Sequence, residues 1–168
     1  YHTYQNSDYF GYQYQYVRNS LQLNQGPRLK QNDSIGDPVF SDVSFFAGMA
    51  ETDWSWTPLV QDFDNDGWLD IFVANDSVRQ SFYHNKGDGT FEDIAVMSGA
   101  GFDENGKTFA GMGVDAGDYD NDGWPDLAAA NGGIVLYHNN GNGTFTKVKS
   151  PTDAGSGSFA TVNWIDYD

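Results

Sequence analysis

The sequence predicts an all-β protein built from tandem, four-stranded, β-propeller-type blades. Three observations predict it. Two nine-residue motifs recur in alternation. Four short strand-like runs separate their copies. No convincing amphipathic helix interrupts them.

The first motif is Asp-Phe-Asp-Asn-Asp-Gly-Trp-Leu-Asp at 62–70, and it returns as Asp-Tyr-Asp-Asn-Asp-Gly-Trp-Pro-Asp at 118–126. Asp166-Tyr167-Asp168, after a somewhat shorter interval, reads as the start of a third copy. The second motif is Tyr-His-Asn-Lys-Gly-Asp-Gly-Thr-Phe at 83–91, and it returns as Tyr-His-Asn-Asn-Gly-Asn-Gly-Thr-Phe at 137–145, at nearly the same interval as the first. A weaker form lies at 21–26 and is followed by an insertion up to Phe40. Two motifs sharing one period mark a tandem repeat.

Each repeat reads as strands divided by Asn, Asp and Gly. Expected strands are 57–61, 69–74, 81–84 and 90–96, then 113–116, 126–130, 134–138 and 144–148. Four strands per roughly 50 residues is the arithmetic of a propeller blade. The best helical candidate, 41–49, is too rich in small and β-branched residues. The expected organisation is a tyrosine-rich strand segment 1–17, a partial first blade 18–50, repeats 51–104 and 105–158, and the start of another at 159–168. That makes about two and a half blades, a fragment or a chain completed by others. Residues 12–17 alternate Tyr with other residues. They read as a packed blade strand or as a strand donated to a neighbouring subunit.

The acidic loops carry the chemistry. Asp occupies positions 1, 3, 5 and 9 and Gly position 6. Alternate carboxylates in a tight loop converge on one point, and Gly67 and Gly123 allow the backbone a positive φ. Asp62, Asp64, Asp66, the Trp68 carbonyl and Asp70 form one expected cage. Asp118, Asp120, Asp122, the Trp124 carbonyl and Asp126 form the second. Such hard, anionic, all-oxygen donors suit Ca²⁺; Mg²⁺ keeps more water, and zinc prefers His and Cys. Asp166 and Asp168 suggest a partial third site. An EF-hand would place Glu at position 12, where Val73 and Ala129 stand. A β-hairpin loop is expected instead. Without a cation, four carboxylates so close in sequence would repel one another.

Charge excludes several functions. The net charge is −16. A nucleic-acid partner needs a basic footprint, and an anionic membrane surface is disfavoured for the same reason. No apolar run reaches the ~20 residues of a membrane helix. The expected metal sites hold ten of the 24 acids, so 14 would remain against 8 bases, or −6. The acidity belongs to those sites. There is no cysteine, hence no disulfide and no Cys-ligated zinc.

These acidic segments, the Tyr-His-Asn-x-Gly-x-Gly-Thr-Phe turns and the 52–56 stretch resemble FG-GAP/VCBS repeats. More narrowly, they resemble the branch that includes cartilage acidic protein and bacterial ASPIC/UnbV-type proteins. The resemblance covers about residues 15–168. It implies integrin-α-like propeller blades, extracellular or cell-surface placement, and structural calcium on the positions named above. It also implies a closed propeller of about seven blades.

No enzymatic constellation is expected. His84 and His138 hold equivalent repeat positions and are assigned to the turns or core, not to catalysis or a metal. The Gly-rich turns precede no helix, so they are not phosphate cradles. Trp54 and Trp56 are expected to pack against a neighbouring blade, or else to present a platform for sugar or protein. N-glycosylation triplets occur at Asn32, Asn75 and Asn142. The expected function is a non-enzymatic, extracellular, calcium-stabilised scaffold for adhesion or protein assembly, with a protein or further copies of itself as partner, and glycan as a further possibility. The alternatives are a filament subunit completed between chains and a propeller fragment of a larger carbohydrate-active enzyme.

Overall fold

The computed structural model describes residues 20–29, 34–103, 105–130, 133–148 and 161–165. Hairpins form wherever a run of apolar or β-branched residues meets an Asn/Asp/Gly turn. The first repeat yields β3 (Ser55–Gln61), β4 (Asp70–Asn75), β5 (Ser81–Asn85) and β6 (Phe91–Asp93), an antiparallel meander in the order β3-β4-β5-β6. The second yields β7 (Gly113–Gly117), β8 (Asp126–Ala130), β9 (Ile134–Asn139) and β10 (Phe145–Val148), with the same neighbour relations. Both acidic loops therefore join the first and second strands of a sheet, as β-hairpin loops.

Ahead of them, β1 (Gln22–Leu29) and β2 (Ile35–Asp42) form a two-stranded antiparallel pair. Its register shifts on either side of Pro27, which stands opposite Pro38. Proline has no N–H to give the ladder, so this pair is irregular. One helical turn, α1 (Ser44–Ala47), follows and stops at Gly48, whose φ of 79° caps it in the left-handed region. It falls inside the weak 41–49 candidate. The 12–17 strand lies outside the described residues.

Strand pairing fixes which face each side chain joins. Phe72 is opposite Phe82, and Ile71 is opposite Tyr83. Period-two alternation then sends Phe72, Ala74 and Phe82 to one face of the first sheet. That face packs on Leu127, Ala129, Tyr137 and Phe145 of the second sheet. The opposite face, with Val73 and Tyr83, is covered by Ala47 of α1 and by Met49 just beyond it. Every residue of β8 is buried, because this central strand is covered on both faces.

The two sheets meet along their first strands. β3 lies against β7, and the Thr57 hydroxyl donates to the Met112 carbonyl (2.8 Å). The segment 161–165 then lies against β7: the Trp164 N–H donates to Asp115 Oδ2 (2.7 Å). The sheets thus stand side by side as blades do, and among the described residues they do not close into a ring. No helix among those residues is long and apolar enough to cross a membrane.

Candidate metal centre

The two acidic loops turn alike. Position 4 takes a left-handed conformation in both, at Asn65 (φ 56°) and Asn121 (φ 59°), and so does position 6, at Gly67 and Gly123 (φ 92° each). Asn is the non-glycine residue that best tolerates this region. The first Asp of each loop closes the turn: Asp62 Oδ2 accepts from the Gly67 N–H (3.0 Å) and Asp118 Oδ2 from the Gly123 N–H (2.8 Å). The third Asp accepts from the Trp N–H that follows it in the loop, at 2.8 Å for Asp66 and 2.9 Å for Asp122. These bonds turn the carboxylates inward.

The closing Asp is buried in each loop, with Asp70 1% and Asp126 0% exposed. Asp70 Oδ2 accepts from the Phe63 N–H (3.2 Å) and Oδ1 from the Asn85 N–H (2.8 Å). Asp126 repeats this with Tyr119 (3.0 Å) and Asn139 (2.8 Å). The second motif thus clamps the first. Asn85 then folds its own turn by accepting from the Gly87 N–H, as Asn139 does for Gly141 (3.0 Å each). Trp68 lies against Gly87, where a Cβ would fall 2.8 Å from the indole nitrogen; Trp124 lies in the same way on Gly141 (2.7 Å). Only glycine leaves room for the ring.

The histidines correct the sequence reading. His84 and His138 point at the acidic loops rather than serving the turn or core alone. His84 Nδ1 is 3.2 Å from Asp70 Oδ1 and 3.3 Å from Asp64 Oδ2. His138 Nδ1 is 3.3 Å from both Asp120 Oδ2 and Asp126 Oδ1. Carboxylates only accept, so the Asp70 bond requires the His84 tautomer with hydrogen on Nδ1. The available signal was order: one strand run after each closing Asp, a Tyr-His-Asn triplet follows, at 83–85 and again at 137–139.

Oxygens of Asp62, Asp64 and Asp70 come within 4.8 Å of one another, as do those of Asp118, Asp120 and Asp122. Each His joins a similar group, His84 with Asp64 and Asp66, His138 with Asp120 and Asp126. Burial pushes the carboxyls of Asp64, Asp70 and Asp126 above the usual carboxylate range, against the backbone N–H bonds that pull them down. Asp62 Oδ1 is buried without a hydrogen-bond partner. A buried orphan oxygen inside a ring of carboxylates fits a hard cation.

Asp166, Asp168 and Asn32 lie outside the described residues. Asn75 is buried, and its amide donates to the Arg79 carbonyl (2.8 Å), which leaves no open path for a sugar on the folded chain. Asn142 is exposed, and its Oδ1 accepts from the Thr144 hydroxyl (2.6 Å). Trp54 and Trp56 are 61% and 50% exposed, so packing on a neighbouring blade is not what the described residues show.

A family model described as FG-GAP-like repeat matches residues 62–129 and again 118–168. The chain belongs to the FG-GAP-like repeat family. Both matches begin at the first Asp of an acidic loop, so the family unit runs from one loop into the next. FG-GAP repeats are typically extracellular and often bind calcium. No curated protein matches the chain.

Proposed function

We propose that the chain is a non-enzymatic, extracellular scaffold whose FG-GAP-like blades are stapled by calcium and serve adhesion or assembly. The observation that carries this reading is the duplicated loop: two cages with matched turns and matched buried closing aspartates, each clamped by the hairpin that follows. Asp62, Asp64, Asp66, the Trp68 carbonyl and Asp70 would hold one ion. Asp118, Asp120, Asp122, the Trp124 carbonyl and Asp126 would hold the other. Calcium supplies positive charge that offsets the carboxylate repulsion and the burial of the closing aspartates. At about millimolar levels outside cells even weak sites fill, and an ion bound only by the folded state stabilises it by mass action. We propose that the chain falls within the cartilage acidic protein and ASPIC/UnbV branch, with its ring completed by further repeats. Support for completion comes from segment 161–165, whose Trp164 N–H donates to Asp115 of β7, on the side where the first strand of a following blade would lie.

Thermal unfolding in calcium and in excess chelator tests this. Calcium at a hundred times its Kd should add about 2.7 kcal/mol per site. Asp64→Ala or Asp120→Ala should remove the response of its own loop. A melting temperature unmoved by chelator would sink the reading.

A further inference from the structure

The two loops are wired to each other. Asn65, between two proposed ligands of the first loop, donates from Nδ2 to the Gly123 carbonyl in the middle of the second (3.1 Å). A second link runs through the buried interior. Asn139, whose N–H holds Asp126, donates from Nδ2 to the Phe63 carbonyl (2.7 Å), and the Phe63 N–H holds Asp70. Phe63 and Asn139 thus connect one closing aspartate to the other. Phe63 itself stands edge-on to Phe82 of its own repeat (5.2 Å between ring centroids) and to Phe145 of the next (5.8 Å).

We propose that the two FG-GAP loops bind calcium as a coupled pair, with Asn65 as the coupling residue. This rests on the calcium reading above. Ordering Asp64 and Asp66 around an ion fixes Asn65 between them. Asn65 then holds the Gly123 carbonyl, which lies between Asp122 and Trp124 of the second cage. Coupling of this kind is reciprocal: an ion in either loop raises the affinity of the other by the same factor.

The chain supplies its own control. Asn121 has the same loop position and nearly the same φ as Asn65, yet among the described residues it bridges to no other loop. Glycine keeps the left-handed backbone and deletes the amide, so Asn65→Gly and Asn121→Gly perturb their own loops equally. The test is a calcium titration of the full chain by amide NMR, with the Gly67 and Gly123 signals reporting each loop. Asn65→Gly should raise the calcium needed at Gly123 by roughly two- to tenfold, the worth of one ordinary hydrogen bond. Asn121→Gly keeps the Asn65 bridge, so it should shift Gly67 only through the weaker second loop, by less than Asn65→Gly shifts Gly123. If Asn65→Gly shifts Gly67 alone, the coupling is overturned and the calcium reading stands. If neither glycine responds to about 10 mM calcium, a level that fills even weak extracellular sites, both fall.

Discussion

The two acidic loops share most of their internal hydrogen bonds, though the third Asp's N–H donates to Asp64 in the first (3.3 Å) and to Asp118 in the second (3.0 Å), and they differ more in what surrounds them. At loop position 2, Phe63 is 3% exposed, wedged between the sheets, whereas Tyr119 is 38% exposed. The Tyr119 ring meets its own repeat's His138, edge-on at 6.0 Å. The residues of a loop set its turn, and the following repeat sets its burial. A blade supplies half of a core and depends on its neighbour for the rest, as repeat architectures do.

The largest break in this comparison comes from Phe63→Ala. It opens a cavity among Phe72, Phe82 and Phe145 and should cost about 3–5 kcal/mol. In the 168-residue chain, Tyr119→Ala removes a ring that is 38% exposed and should cost about 1 kcal/mol, within the range for ordinary substitutions. Urea unfolding of both variants decides the matter. Equal losses would mean that position 2 acts within its own loop, and that the neighbouring repeat adds nothing.

A finer contrast separates two kinds of glycine. Gly67 has a positive φ and open space where a Cβ would go; Gly87 has a positive φ and the Trp68 ring there. Gly67→Ala should therefore cost the left-handed penalty alone, about 1–2 kcal/mol. Gly87→Ala must also displace the indole and should lose up to about 1 kcal/mol more, with Gly141→Ala matching it over Trp124. Trp fluorescence should shift in the Gly87 and Gly141 variants and stay fixed in Gly67→Ala. A shift of equal size in all three would remove the indole from the account.

Much of this was legible because the informative residues recur at regular spacing. The hairpin loops, their left-handed glycines and the strand runs are local, and a second copy removes chance. What stayed hidden depends on pairing across strands. His84 and Asn85 reach Asp70 only because β4 and β5 are neighbours in a meander, and sequence offset alone does not say which groups face one another. The burial of Phe63 against the exposure of Tyr119 depends on the next repeat. The run Ala128–Ala130 lacks alternation because both faces of β8 are covered. Helix α1 is one turn, too short to show a period of 3.6.

Proton competition gives the smallest expected effect and the sharpest sign. Burial raises the carboxyls of Asp64, Asp70 and Asp126 above 3.8, their value in an unfolded chain. For a raised carboxyl, the folded state prefers the proton. Its stabilising contribution is complete below 3.8 and is lost as pH rises through the folded pKa. Calcium-free protein should therefore gain a little stability from about pH 7 down to about pH 4. Asp88 and Asp103 work the other way. Hydrogen bonds from Thr90 hold Asp88 below the usual range, and the Lys107 N–H leads those that lower Asp103. Their contribution is present above 3.8 and fades as pH falls through their lowered values. With calcium bound, protons compete for the same oxygens, so stability should fall over the window in which the calcium-free protein gains. Melting curves in calcium-stripped and calcium-saturated buffer should have opposite slopes there. Parallel slopes would mean that the raised carboxyls and the metal ligands are different groups, and the two cages would lose their common chemistry.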